Sequence, residues 1–306
     1  ADDRLVRRQR VLVAPVQGGH RGQVPRAGAV GERKMTNYLS LEDLHKEELR
    51  LLLQLDDFCR EHGLRYSLEA GTLIGAIRHK GFIPWDDDVD ISMPRPDYDR
   101  LLKLSGELPD GLFIVHAENS TSTSPFAKVC TNSIRAQEPE LHDVMEEFLW
   151  IDIFVMDGVP DDDGKVEAIQ QRCNSVMRKC DWASLNHDCE DELWKKLIKK
   201  VCGALFKLGN PKEKMLRFVN EIARNPGYEN ASRVSSLLGG SKHGWSIPKD
   251  DYENMIEVEF EGHMLPAMGC WDEYLTKCYG DYMQLPPENK RQTHCLKAWR
   301  VNDEKE

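Results

Sequence analysis

The first regular stretch of the chain has apolar residues at helical spacing. Leucines and Phe58 recur between Ser40 and Gly63 as they do along one face of a helix. Ser40 can cap the first turn, and Gly63 can adopt the left-handed conformation that ends many helices. The pattern therefore predicts a helix that begins after Ser40 and ends at Gly63.

Two later segments have the patterns of β-strands. Residues 88–93 alternate between polar and apolar side chains, which predicts a strand with one buried face. Residues 148–155 form an almost continuous apolar run that is rich in β-formers and too short for most helices. This run predicts a buried strand, closed by Gly158-Val159-Pro160, and Asp152 is the one acid within it.

The remaining elements are shorter or less regular. The turn Ala70-Gly71-Thr72 is expected to lead into a helix over residues 73–79, and residues 161–225, rich in Lys and Glu, predict three helices. Strands are also predicted over residues 65–68, 112–116, 126–130 and 255–260, and helices over residues 97–104 and 271–278. This order of elements predicts an α+β fold class, with a small mixed sheet flanked by helices.

Charge separates the first 34 residues from the rest of the chain. Residues 1–34 carry eight basic and three acidic side chains, a net charge of +5, whereas the remainder accounts for −16 of a total of −11. We interpret residues 1–34 as a flexible N-terminal extension outside the fold, with a basic arm for nucleic acid or anionic lipid as the alternative. The acidic remainder argues against sequence-independent binding of nucleic acid.

The acidic part of the chain is expected to form one unit with an insert. Its predicted divisions are a core over residues 35–160, a helical insert over residues 161–225, and a C-terminal part over residues 226–306 that completes the core. No apolar run approaches the roughly 18 residues of a membrane span. An acidic chain can still bind an anionic substrate, because a magnesium ion can supply the local positive charge.

Cysteine usage favours a reducing, cytoplasmic setting. The chain has nine cysteines, an odd number, with no C-x-x-C pair and no secretory signal. Cys173, Cys180 and Cys189 with His187 could form a zinc site, but their spacing fits none of the usual patterns. Ordinary thiols are the favoured interpretation.

Four carboxylates lie within five residues, at Asp86, Asp87, Asp88 and Asp90. Like charges at this density repel one another and raise each other's pKa. Asp88 and Asp90 are two apart on the predicted strand, so both side chains point to the same face. Two carboxylates held together need a cation between them, and hard oxygen ligands favour Mg²⁺ or Mn²⁺.

Asp152 is the third acid of the predicted site. An acid inside a buried strand needs a partner or a metal. If its strand lies beside that of Asp88 and Asp90, the three carboxylates converge into a platform for two-metal phosphoryl chemistry. Two alternatives are a calcium loop, which lacks a glycine because Ile91 stands at its sixth position, and a solvated acidic loop.

A second candidate for binding phosphate precedes the acids. Gly71 lets a ligand approach the backbone, the start of a helix offers N–H groups to phosphate, and Thr72 adds a hydroxyl. Arg78, His79 and Lys80 follow at the far end of the same helix and could neutralise a diphosphate. The alternative is that these three side chains only favour the helix C-terminus through its dipole.

Taken together, these residues resemble a known family. The segment from Glu69 to Ile91, Glu-Ala-Gly-Thr-Leu-Ile-Gly-Ala-Ile-Arg-His-Lys-Gly-Phe-Ile-Pro-Trp-Asp-Asp-Asp-Val-Asp-Ile, resembles the LicD family signature nearly end to end. That family includes bacterial cholinephosphotransferases, with fukutin and fukutin-related protein as distant members. It belongs to the nucleotidyltransferase-fold superfamily, which implies a nucleotidyltransferase-like catalytic core over residues 35–160.

Three more motifs extend the resemblance over roughly residues 40–295. Residues 126–129 look like the family's central basic strand, and residues 150–160 look like its third-acid strand, with Val155 where proline is expected. Residues 279–294, which include Asp281, Lys290-Arg291 and His294, resemble its C-terminal motif.

The resemblance implies transfer of a phospho-substituent, such as phosphocholine or an alditol phosphate, from a CDP-linked donor to a glycan or glycolipid hydroxyl, with release of CMP. Asp88, Asp90 and Asp152 would be catalytic and hold the metal, and Asp152 could also accept the hydroxyl proton. Asp86 and Asp87 would be further ligands or would orient the ligands. The binding residues implied for the donor or the acceptor are Gly71, Thr72, Arg78, His79, Lys80, Lys128, Asp281 and His294.

Two other functions share these motifs. A nucleotidyltransferase would use the same acids but leave the nucleotide monophosphate on the acceptor. A non-catalytic binding protein could keep the fold, although the intact acids Asp88, Asp90 and Asp152 argue against it. For a transferase of this family we expect a cytoplasmic location, peripheral at the inner face of the membrane, where the acceptor would bring it.

Overall fold

The predicted first helix forms at the expected bounds. Helix α1 spans Leu41–His62, and its capping residue Ser40 accepts a hydrogen bond at Oγ from the Asp43 N–H, at 3.1 Å. Gly63 ends the helix with φ of +59°, the left-handed conformation that glycine adopts without strain. The buried face of α1 packs its leucines into the main core of the protein.

The computed structural model describes residues 38–116, 125–137, 148–184, 201, 211–238, 245–291 and 295–301. The further helices are α2 (Ala70–His79), α3 (Arg95–Lys103), α4 (Asp163–Ser184), α5 (Pro211–Ile222), α6 (Lys249–Glu253) and α7 (Trp271–Tyr279). The strands are β1 (Ser67–Leu68), β2 (Asp90–Pro94), β3 (Leu112–Val115), β4 (Ala127–Thr131), β5 (Ile134–Gln137), β6 (Trp150–Val159), β7 (Arg233–Ser235), β8 (Ile247–Pro248), β9 (Ile256–Phe260), β10 (His263–Ala267) and β11 (Lys297–Arg300).

A mixed sheet forms the centre of the fold. Its strand order is β1-β2-β6-β4-β3, with β2 and β6 parallel and the other neighbours antiparallel. Strand β7 continues the sheet along the end of β6, and β8 pairs with β7. Two smaller antiparallel pairs, β9–β10 and β5–β11, lie outside this sheet. The predicted α+β class with a mixed sheet is confirmed.

Strand β6 is longer than the apolar run predicted. The prediction closed the strand at Gly158-Val159-Pro160, but Asp157, Gly158 and Val159 pair with β7. The segment 227–231 approaches Gly158 so closely that an added Cβ would lie 2.7 Å from the Gly227 carbonyl oxygen. The end of β6 therefore depends on residues some seventy positions later, which no local pattern shows.

Other differences lie at the ends of elements and in short strands. Strand β2 begins at Asp90 and not at Asp88, and α2 already begins at Ala70. Short elements missed by the sequence patterns are β5, β7, β8, β10, α6 and β11, most of which are shaped by distant partners. Of the three helices predicted in residues 161–225, α4 and α5 are observed, and the third, together with residues 1–34, lies outside the described residues.

A buried ion pair joins helix α3 to strand β6. The guanidinium of Arg95 contacts Asp157 through two hydrogen bonds, Nε to Oδ1 at 2.7 Å and Nη2 to Oδ2 at 2.8 Å. The exposed fraction of these side chains is 10% for Arg95 and 1% for Asp157. The cost of burying each charge is offset by the opposite charge of its partner.

Replacing Arg95 by Met should lower the free energy of unfolding by about 3–5 kcal/mol, because the Asp157 carboxylate would remain buried and unpaired. Urea denaturation measures this loss, and the double variant Arg95→Met, Asp157→Leu should recover part of it. Arg172→Ala, which removes the exposed ion pair with Glu221, is the matched control and should leave the unfolding midpoint nearly unchanged. Equal effects of the two single variants would contradict the interpretation.

Helix α2 packs against the loop that leads into the acidic segment. A Cβ at Gly75 would lie 2.4 Å from the Gly81 carbonyl oxygen and 3.2 Å from the Ile83 nitrogen, so the backbone would have to move. We expect Gly75→Ala to destabilise the protein by about 1–3 kcal/mol. Gly106→Ala, where the added methyl meets open space, should be close to neutral, and thermal unfolding of both variants checks the difference.

Candidate active site

Three of the predicted site residues lie side by side on the central sheet. Asp90 on β2 and Asp152 on β6 are direct partners across the parallel pair, and Lys128 on β4 is the partner of Asp152 on its other side. Paired residues on neighbouring strands project from the same face of a sheet. The expectation that the strand of Asp152 lies beside that of Asp90 is confirmed.

The carboxylate of Asp90 lies in a strongly unfavourable environment for a negative charge. Burial, and then the nearby charges of Asp88 and Asp152, raise the pKa of Asp90 well above its usual range. Asp86 and Glu69 contribute in the same direction. Without added positive charge this group is therefore pushed towards its neutral form.

Lys128 contributes positive charge at the other end of this row. Its Nζ lies 3.3 Å from Oδ1 of Asp152 and 3.9 Å from the centre of the Trp150 ring. The Trp150 Nε1–H points at the other carboxylate oxygen, at 3.4 Å. Lys128, predicted as a phosphate ligand, is thus placed on Asp152 and steadied by cation–π contact.

The start of helix α2 is joined directly to the start of β2. The Asp90 N–H donates to Oγ1 of Thr72 at 2.9 Å, and the Glu69 N–H donates to the Asp90 carbonyl at 3.0 Å. The first hydrogen bond within α2 runs from the Leu73 N–H to the Glu69 carbonyl, so the N–H groups of Gly71 and Thr72 are not used by the helix. N–H groups at this position of a helix are the ones that bind phosphate in phosphate-binding helices.

The acidic segment lies over this helix start. A Cβ at Gly71 would lie 2.6 Å from Oδ2 of Asp86, so glycine allows the carboxylate to approach the backbone. His45 on α1 donates from Nε2 to the Asp86 carbonyl at 2.7 Å. Asp87 is buried, and its Oδ2 accepts a hydrogen bond from the Leu296 N–H at 2.8 Å. Asp87 therefore ties the acidic segment to the C-terminal part of the chain.

The three basic residues at the end of α2 have different surroundings. Arg78 donates from Nη1 to the Tyr282 carbonyl at 2.7 Å and from Nε to His79 at 2.9 Å. Burial and the Arg78 charge lower the pKa of His79. Lys80 is exposed and ends the helix in the left-handed conformation, and its carbonyl accepts from the Glu261 N–H.

A cluster that the sequence did not indicate lies at the start of the acidic segment. The guanidinium carbon of Arg291 is 4.3 Å from the centre of the Trp85 ring, and the His79 ring meets Trp85 edge-on at 6.5 Å. We call Arg78, His79, Trp85 and Arg291 the Trp85 cluster. The cluster depends on the chain after α7, which brings Tyr282 and Arg291 to the acidic segment.

Two buried carboxylates near the site were also missed. Glu48 has no exposed surface, and burial followed by the charges of Asp88 and Asp87 raises its pKa well above the usual range. Burial raises the pKa of Glu69 to about 7, against hydrogen bonds from Tyr274 and Ser92 that lower it. Glu48 continues the apolar face of α1, which is the signal that could have identified it.

The remaining predictions have mixed outcomes. Asp281 is exposed in the turn after α7, next to the Tyr282 carbonyl that binds Arg78. Cys173 is buried in the apolar core between α4 and α5, as an ordinary thiol would be. His294, His187 and Cys189 lie outside the described residues, as does the side chain of Cys180.

The residue types around Asp90 suit a hard cation, but the side chains are not arranged around one. Among the described residues, no three His, Cys, Asp or Glu side chains form a group that could hold a metal ion as they stand. Asp152 is turned to Lys128, and Asp87 to Leu296. The fit lies in the oxygen donors and in their repulsion, which a divalent cation would relieve.

Among the described residues, no helix combines the length and the apolar character that a membrane span requires.

Comparisons with known proteins show the family of the chain. Residues 63–157 match the family model described as LicD/FKTN/FKRP, nucleotidyltransferase domain. The lipopolysaccharide cholinephosphotransferase LicD of Haemophilus influenzae is 31% identical over 269 residues, which cover 82% of this chain and 95% of that protein. The human ribitol 5-phosphate transferase FKRP is 48% identical over 44 residues, 14% of this chain and 9% of that protein. With this extent of similarity, the chain belongs to the LicD family.

Proposed function

We propose that the protein transfers a phospho-substituent from a CDP-linked donor to a glycan hydroxyl and releases CMP. The group would be phosphocholine or a related amino-alcohol or alditol phosphate. The names of the relatives support this class, since one is a lipopolysaccharide cholinephosphotransferase and another is a ribitol 5-phosphate transferase. The acceptor would be a lipopolysaccharide, teichoic acid or capsular glycan.

The alignment of Asp90 with Asp152 carries this proposal. Two acids held in register on parallel strands, with Asp88 near enough to raise the pKa of Asp90, favour a site that receives positive charge. The first turn of α2 lies directly beside them, because Thr72 accepts from the Asp90 N–H. A diphosphate bound at that helix start would meet N–H groups on one side and carboxylates on the other. Such a juxtaposition is stable only with a cation between the two sets of negative charge.

Asp88, Asp90 and Asp152 would hold Mg²⁺ or Mn²⁺, which would neutralise the diphosphate and the charge that develops during transfer. The acceptor hydroxyl would attack the phosphorus that carries the substituent. Its oxygen forms the new P–O bond, and the bond to the CMP oxygen breaks. Asp152, at the centre of the row, would accept the hydroxyl proton. The chain's nucleotidyltransferase-type core would supply this arrangement.

A nucleotidyltransferase would need the same acids, so the products separate the two functions. Incubation with Mg²⁺, a panel of CDP-alcohols and a glycan acceptor should release CMP and place the phospho-substituent on the acceptor. Mass spectrometry of the acceptor and chromatography of the nucleotide measure both products. Chelation of the metal should stop the reaction. A nucleotide monophosphate on the acceptor would overturn the proposed transfer, and turnover in excess chelator would overturn the proposed metal.

Asn substitutions should distinguish the site carboxylates from supporting ones. Asp88→Asn, Asp90→Asn and Asp152→Asn should each reduce kcat at least about 100-fold, because each removes charge where the reaction needs it. Asp87→Asn should be much milder, because the amide oxygen can still accept from the Leu296 N–H. Asp57→Asn, on the exposed face of α1, is the matched surface control. Unchanged transfer by Asp90→Asn would refute the proposed role of the three site carboxylates.

A further inference from the structure

The Trp85 cluster contains a cation whose place in the chemistry is unassigned. The guanidinium carbon of Arg291 lies 4.3 Å from the centre of the Trp85 ring. Trp85 directly precedes Asp86, the first acid of the acidic segment. A cation over the face of an indole ring is attracted by the negative face of the ring, and the N–H groups of a guanidinium in this position can still bind an anion. These N–H groups are the part of arginine that binds phosphate oxygens in pairs.

The contacts of Arg291 within its own segment are long. Its Nε donates to the Pro286 carbonyl at 3.4 Å, and its Nη1 lies 3.8 Å from a carboxylate oxygen of the exposed Glu288. The ring of Trp85 lies beneath the same guanidinium, 4.3 Å from its carbon atom. Among the described residues, the polar contacts of Arg291 are long enough for the oxygens of a bound anion to replace them.

Two other basic side chains near the site, Arg78 and Lys128, make shorter polar contacts than Arg291 does. The guanidinium of Arg78 is engaged by the Tyr282 carbonyl at 2.7 Å and by His79 at 2.9 Å. The ammonium of Lys128 lies between Asp152 and the Trp150 ring. Lys80 is exposed at the end of α2 that lies opposite the helix start. Arg291 is therefore more readily available to an incoming anion at the helix start than Arg78 or Lys128.

Trp85 also lies close to the start of α2. Asp86, the next residue, places its carboxylate against Gly71 in the first turn of that helix. A diphosphate at the helix start would be repelled by the acids alone. A guanidinium held next to the acidic segment would offset that repulsion.

We propose that Arg291, oriented by the Trp85 ring, is a diphosphate-binding residue that contacts the phosphates of the nucleotide donor. This inference rests on the proposed function and adds a binding residue to the same site. Trp85 is a positioning residue, since it acts by holding the guanidinium plane. Trp85→Phe should keep part of the phosphate affinity that Arg291 provides, and Trp85→Leu should lose it.

The test measures binding of CDP and of inorganic pyrophosphate to the full chain by calorimetry, with Mn²⁺ present. Arg291→Ala should weaken both ligands by about tenfold or more, the effect of losing one charge-assisted pair of hydrogen bonds. Arg291→Lys should restore part of the affinity but lack the paired geometry. Arg172→Ala is the matched control, because Arg172 also lies over an aromatic ring, Phe218 at 4.7 Å, but in the α4–α5 region. This variant should bind both ligands normally.

A second measurement separates phosphate binding from structural support. Titration with Mn²⁺ alone, and the unfolding midpoint, should be the same for Arg291→Ala and the parent protein. The inference is overturned if Arg291→Ala binds both phosphate ligands normally, or if it loses Mn²⁺ affinity and stability to the same extent. If the parent protein binds pyrophosphate but not CDP, the proposed nucleotide donor fails, and Arg291 is judged on pyrophosphate. Binding of neither ligand to the parent protein would overturn both proposals.

Discussion

The parallel pairing of β2 with β6 places two like charges side by side, and much of the structure around them follows from this. Asp90 and Asp152 repel each other, and burial deepens the cost for Asp90. The backbone ladder between these strands and the Thr72 and Glu69 contacts at Asp90 fix the strands, so the side chains cannot separate freely. Positive charge close to these acids therefore stabilises the fold, because it offsets their repulsion.

Such positive charge comes from several directions. Lys128 approaches Asp152 from the neighbouring antiparallel strand, and Trp150 limits where its ammonium can lie. The first turn of α2 offers backbone N–H groups beside Asp90, and in our proposal Arg291, over the Trp85 ring, would add a guanidinium. These charges differ in kind. The lysine is a point charge on a flexible stem, whereas the arginine and the helix start present directed donors suited to phosphate oxygens.

Sequence patterns predicted the parts of this arrangement that depend on local order. Alternation around Ile91 and the apolar run around Asp152 gave the two central strands, and the acid inside the second strand suggested that they are neighbours. The start of β2 was placed two residues early, because alternation continues into the loop at Asp88. The contact of Arg291 with Trp85 could not be predicted, since it depends on how the chain returns after α7. Glu48 was missed because a charged residue on an apolar helix face is ordinarily excluded from the core.

The division between sheet and returning chain bears on how one site can serve different transferred groups. Asp90 and Asp152 lie on strands whose register is fixed by backbone hydrogen bonds, so the geometry of this pair does not depend on the donor's variable group. Beside it, the chain that follows α7 is attached through the Tyr282 carbonyl, through Arg291 over the Trp85 ring, and through the Leu296 N–H. Changes in that segment can alter the ligand surface without disturbing the strands. The names of two relatives give different transferred groups, a cholinephosphate and ribitol 5-phosphate. On this basis we expect the choice of transferred group to lie in the segments around the sheet, and the phosphoryl chemistry to lie on it.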